Sequence, residues 1–222
     1  MEQGFDILYN RFLRLARILE GDSEAERFVS NEIAHSYTIV YNIVHKNSSL
    51  GQQLYDRYKG WLQEYLVGVV LPDLRNKDGE VMLEQLVKRW ENHKVMVRKL
   101  SNWFRYLDCH FVKINYLTPL RDAELMCFWE HVHHEIKATA RNAVLALIHS
   151  EREGERIADW SLLKNVLNFF VDIGMDDEGV NLYENDFEAQ MLDRGSAALE
   201  GQRRYVRTEA VVRTAWTALV RE

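Results

Sequence analysis

His131-Val132-His133-His134-Glu135 gathers four side chains of the kinds that ligate metals. On a helix His131 and His134 share a face, as do His131 and Glu135, so two ligands could converge on one ion. The spacing is not the His-Glu-x-x-His of zinc peptidases, and no third ligand is evident. Val132 belongs to an apolar stripe that leaves its neighbours on or near solvent, so the run reads as a solvated helix face. Cys109 and Cys127 have no Cys-x-x-Cys partner and read as two buried or half-buried thiols. Asp176-Asp177-Glu178-Gly179 lacks the alternating oxygen ligands of a calcium loop, and neither a Gly-rich phosphate loop nor a Gly-x-Ser-x-Gly elbow occurs. Arg203, Arg204, Arg207 and Arg213 could meet phosphate or an acidic partner, but read as a solvated face or tail. The sequence implies no active site, no metal and no cofactor.

The elements that carry these residues are helical. Only 2 prolines and 11 glycines interrupt 222 residues, of which 47% are hydrophobic and 28% charged. The spacing predicts a first helix through Phe5, Leu8, Phe12, Leu15 and Leu19, stopping at Gly21. A second is expected from about Ala25 to Val44, ending in the polar loop Lys46-Asn47-Ser48-Ser49. A third, over roughly Gln52 to Val70, carries Leu54, Tyr58, Trp61, Tyr65 and Val69, with Pro72 just beyond it. A long stripe from Asp78-Gly79 runs through Leu83, Leu86, Trp90, Val97, Leu100, Phe104, Leu107, Phe111 and Ile114. It lapses at Asn92-His93-Lys94, where a kink or break is expected. Thr118-Pro119 opens another helix, with Leu125, Trp129, Val132, Ile136, Ala140, Ala143 and Leu147 on its stripe. Ser150 to Arg156 is the expected boundary, followed by a helix through Leu162, Val166, Phe169 and Phe170 that stops at Gly174. No segment alternates as a strand does, so the fold class is all-α: a helical bundle over 1–150, the start of a second unit over 151–192, and an Arg-rich segment over 193–222.

A net charge of −6, without a dominant basic face, argues against nucleic acid. No run approaches the ~20 apolar residues of a membrane span, and the N-terminus has no secretory pattern, so an intracellular, reduced setting is expected. One helix carries more apolar surface than a single core requires. At ~100° per residue, the apolar positions of 29–45 spread over roughly 220° of arc, whereas one core needs a stripe of a little over ~100°. Ile33, Tyr37 and Tyr41 follow i, i+4, i+8 along its outer edge. Trp103, Tyr106 and His110 form a similar surplus beside Phe104, Leu107 and Phe111. Such edges meet either a partner or another part of the bundle.

At these residues the chain resembles the N-terminal part of a cullin, of the plant cullin-1 type. The stretches that carry the likeness are Tyr37-Thr38-Ile39-Val40-Tyr41-Asn42, Gln52 to Tyr58 and, above all, Val87-Lys88-Arg89-Trp90-Glu91-Asn92-His93-Lys94-Val95-Met96-Val97-Arg98. Arg105-Tyr106-Leu107-Asp108, Glu151 to Glu155, Leu162 to Leu167 and Asp186-Phe187-Glu188 follow in order. The resemblance implies a stack of cullin helical repeats and a non-catalytic scaffold of an F-box-type ubiquitin ligase, cytoplasmic and nuclear. It implies that the first repeat binds the F-box adaptor protein, and through it the F-box receptors, by Ile33, Ala34, Tyr37, Tyr41, Tyr106 and His110. The likeness fades after Leu192, before the family's RING-binding half, so a RING subunit is not expected as a partner and the chain reads as a competitor for adaptor. The alternative is a diverged helical protein that self-associates. Ala34 and Ser36 stand where the family has larger apolar residues, which implies a weakened interface, and Cys109 stands where an arginine is common.

Overall fold

The structure, a computed structural model, describes residues 2–153 and 159–173, and every regular element among them is helical. The elements are α1 (Glu2–Glu20), α2 (Ser30–Lys46), α3 (Ser48–Tyr65), π1 (Leu66–Val70), α4 (Leu71–Arg75), α5 (Gly79–Trp103), π2 (Leu107–Val112), α6 (Leu120–Phe128), π3 (Trp129–His133), α7 (His134–Glu153) and α8 (Trp160–Ile173). They form two compact units. The first is Met1–Asn76 with Lys88–Glu135, and the second is Lys77–Val87 with Ile136–Glu222.

Within the first unit α1 stops where its sequence predicts. Gly21 takes φ 88°, Asp22 N–H reaches the Arg17 carbonyl (3.1 Å) and Gly21 N–H the Ile18 carbonyl (3.2 Å), the Schellman pattern that a left-handed glycine permits. Helix α2 begins at Ser30, later than expected. Residues before it are drawn away because Phe28 packs on Trp103 (centroids 5.0 Å apart) under the Arg14 guanidinium, 4.0 Å above its ring. Glu32 then accepts from Val29 N–H (3.1 Å) and from Arg14 (2.6 Å), closing the first turn. The expected polar loop after α2 shrinks to Asn47, whose side chain accepts from Ser49 N–H (2.9 Å) and starts α3 at once.

The helical stripes drift in the same way at two places. Val69 is 42% exposed while Val70 is 1% exposed, the reverse of the sequence expectation. Leu125 and Trp129 likewise lie outside the core, and Glu124 and Phe128 occupy it instead. Each slip falls at a π-segment. There one extra residue enters a turn and advances the phase of the stripe, as in π1, where Leu71 N–H bonds the Leu66 carbonyl five residues back. Pro72, expected beyond the helix, sits in the first turn of α4, where its missing N–H is tolerated. The stripe on α5 does not break at Asn92-His93-Lys94. His93 is buried there, Met96 replaces Val97, and the Asn92 amide donates to the Leu19 carbonyl (2.8 Å). The interruption comes instead at Phe104, between α5 and π2, and Ile114 lies beyond π2 at 67% exposure.

Arg89 is the polar tie of this unit. It is 9% exposed, its Nη2 donates to Asp73 Oδ2 at 2.7 Å and its Nη1 to Glu20, while Tyr65 donates to the other Glu20 oxygen at 2.5 Å. Four elements (α1, α3, α4 and α5) are joined by one guanidinium whose planar fork suits two carboxylates. In the second unit the core residues are Met82, Leu83 and Leu86 of α5, Ile136, Ala140, Val144 and Ile148 of α7, and Leu163, Val166, Phe169 and Phe170 of α8. Helix α7 continues through Ser150 to Glu153, into the expected boundary. Gly174, the acidic run at Asp176–Gly179 and the C-terminal arginines lie outside the described residues.

Candidate partner-binding edge

Helix α2 divides its apolar side chains between two faces. Ile39, Val40 and Ile43 are buried, and Ser36 is buried among them with no exposed surface. The Ser36 hydroxyl donates to the Glu32 carbonyl (2.9 Å) and accepts from Arg11 (2.8 Å). Ser36 is therefore a hydrogen-bonded contact between α1 and α2, and the expectation that its small size weakens an outer interface is corrected: it does not reach that surface.

The other face carries Ile33, Tyr37 and Tyr41, 39%, 39% and 37% exposed, with Ala34 also exposed. These are apolar or amphipathic groups left in water by a helix whose inner face is already filled. Tyr106, half-buried at the start of π2, joins them. Its ring is 6.5 Å from Tyr37 and 4.7 Å from Tyr41, both edge-on. His110, exposed one turn later, lies 4.3 Å from the Tyr106 ring. The six residues expected at the edge thus divide between one helix and the segment facing it, and four of them are linked ring to ring. His45, which sequence reasoning passed over, extends the row: it stacks on Tyr41 with rings 5.3 Å apart and 9° from parallel. The signal was present, since His45 continues the i, i+4 series from Ile33.

Trp103 does not belong to the edge. It is 2% exposed beneath Phe28, so this part of the surplus is satisfied within the chain. Gly51 sets how closely π2 approaches α3. A Cβ added there would fall 2.6 Å from the Phe111 ring, so only glycine lets α3 rest on it.

The histidine run holds no converged ligand set. His131 Nδ1 lies 3.0 Å from the Cys127 carbonyl, Glu135 pairs with Arg75 (2.5 Å), and His133 is buried rather than on the expected solvated face. Among the described residues no group of three or more His, Cys, Asp or Glu could hold a metal ion. Cys109 is exposed, against the expectation of burial, because π2 turns it outward; Cys127 is buried, and burial pushes its thiol up to about 11. No described helix is long and apolar enough to cross a membrane.

Residues 15–213 match the family profile described as the cullin alpha solenoid domain. Rice cullin-1 is 45% identical over 194 residues, which is 86% of this chain and 26% of that protein. An Arabidopsis cullin-like protein is 43% identical over 193 residues, with 86% of this chain and 50% of that protein covered. Cullin-like protein 3 of Arabidopsis is 43% identical over 182 residues, 82% of this chain and 69% of that protein. The chain therefore spans from about a quarter to about two thirds of these curated relatives. A helical stack with an aromatic edge and a match across most of its residues leads to one assignment: the chain belongs to the cullin family.

Proposed function

We propose that this chain is a non-catalytic scaffold segment that holds an F-box adaptor protein in a ubiquitin-ligase assembly of the cytoplasm and nucleus. Ile33, Ala34, Tyr37 and Tyr41 of α2, with Tyr106 and His110 of π2, form the contact. The observation that carries this reading is the exposure of three large apolar side chains in one row, with Tyr106 closing the row from π2. Tyrosine rings suit such a role because they bury much area with few rotatable bonds. In a mixture with a cullin-1-type protein this chain competes for the same adaptor, because both would use the same edge.

Capture of a purified plant F-box adaptor tests the proposal. Wild type should retain it, and Tyr37→Ala/Tyr41→Ala should lose it while keeping the helical circular dichroism of the parent. Equal capture by both proteins would remove the tyrosines from the contact. No capture by wild type, with dimers in light scattering, would favour self-association instead.

A further inference from the structure

Away from that edge, α5 and α6 bury two ionisable side chains that no hydrogen bond explains. Glu124, in the middle of α6, has no exposed surface, and neither carboxyl oxygen has a hydrogen-bond partner. His93 of α5 is 2% exposed, and neither ring nitrogen has one. The two are neighbours. The His93 ring lies 4.9 Å from Phe128, one turn beyond Glu124, and is near enough to the Glu124 backbone carbonyl to be influenced by it. Trp90 closes the cluster, 5.7 Å from His93 and 5.0 Å from Phe128.

Such walls favour the uncharged form of each group. An ionised carboxylate without donors, or an imidazolium without acceptors, loses hydration that aromatic rings do not replace. Burial accordingly pushes the Glu124 carboxyl up to about 9 and the His93 imidazole down to about 4. The charged groups on the surrounding elements do not reverse this. On α5, Arg89 is committed to Asp73 and Glu20, and Lys94 pairs with Glu91. On α3, Lys59 lies over the Tyr55 ring and the Tyr58 hydroxyl is buried without a partner. On α6 and π3 stand Arg121, Asp122, Glu130, His131, His133 and the Cys127 thiol, yet desolvation alone acts on Glu124.

We propose that Glu124 and His93 form a proton-linked latch: α6 seats against α5 only while Glu124 is a neutral acid and His93 a neutral imidazole, and ionising either one unseats it. For Glu124 the folded value lies above the ordinary 4.5, so its stabilisation is complete below that value and is lost as pH rises toward about 9. For His93 the folded value lies below the ordinary 6.5, so its stabilisation is complete above that value and is lost as pH falls toward about 4. Each group changes the folding equilibrium about tenfold per pH unit within its own window.

The full chain and its Glu124→Gln variant provide the test. Wild type at about pH 7 should show the infrared carbonyl stretch of a protonated carboxylic acid, because ordinary carboxyls are ionised there. Glu124→Gln should lack that band. Between about pH 6 and about pH 8 the folding constant of wild type should fall about tenfold per unit relative to the variant. Parallel pH profiles for the two proteins would overturn the latch. Absence of the band in wild type at about pH 7 would overturn it even if the variant failed to fold.

Discussion

Replacing Gly51 by alanine tests whether close packing at one glycine sets the position of π2. The added Cβ would meet Phe111 at 2.6, 2.9 and 3.0 Å, whereas carbon atoms rest ~3.5–4.0 Å apart. The ring must retreat by ~1 Å, and Phe111 is buried, so the movement has to be shared with its neighbours. Overpacking of this kind costs about 1–3 kcal/mol. Alanine also returns roughly 0.5–1 kcal/mol by restricting the unfolded chain and favouring helix, which blurs a single measurement. Gly60 supplies the control, since it lies on the same helix and an added Cβ there would meet nothing within 4 Å. Gly60→Ala should stabilise by roughly 0.5–1 kcal/mol, and the difference between the two variants isolates the clash at about 1–3 kcal/mol. Urea unfolding at equal m-value measures both, and the NMR ring signals of Tyr106 and His110 should move in Gly51→Ala alone. Equal stability changes in the two variants would refute the reasoning, because the propensity gain is common to both.

Other perturbations follow from the same contacts. Arg89→Ala strands the Asp73 and Glu20 carboxylates and should cost about 3–5 kcal/mol in urea unfolding, with Arg89→Met costing less because it refills the space. Ser36→Ala removes the acceptor of Arg11 and should cost about 1–2 kcal/mol of stability while leaving adaptor capture intact, since Ser36 lies beneath the edge. Tyr41→Ala, at an exposed position, should weaken adaptor binding by about 2 kcal/mol with little change in melting temperature, as read by calorimetry. Under native conditions maleimide should label Cys109 rapidly and Cys127 only on unfolding, which mass spectrometry of tryptic peptides can follow.

Helix count, the stop at Gly21 and the outer row of α2 were legible because they depend on local spacing. Ile33, Tyr37 and Tyr41 fall on one face of any regular helix, and the surplus arc marked that face before any neighbour was known. What stayed hidden depended on tertiary partners. Trp103 looked like part of the edge until Phe28, from a loop, covered it. Ser36 looked like a truncated contact, yet its hydroxyl is matched by Arg11 across the α1–α2 interface. His93 looked like a gap in the stripe because its type is polar, although it fills the core position that the spacing assigns. A hydrophobic pattern has no means to signal a neutral imidazole among aromatic rings.

The π-segments give chain length a role at the docking edge. Tyr106 immediately precedes π2, and His110 lies within it. Removing one residue from Leu107–Val112 would return the segment to ordinary pitch and rotate all that follows by ~100° relative to Tyr106. The Asp108 carboxylate that accepts from Leu120 N–H (3.0 Å) would then point elsewhere, and α6 would lose its N-terminal anchor. A single-codon deletion, conservative in composition, would therefore do more damage than most substitutions in the same stretch. In lineages that retain this edge, the length of the interval between Tyr106 and Leu120 should vary less than the residues that fill it.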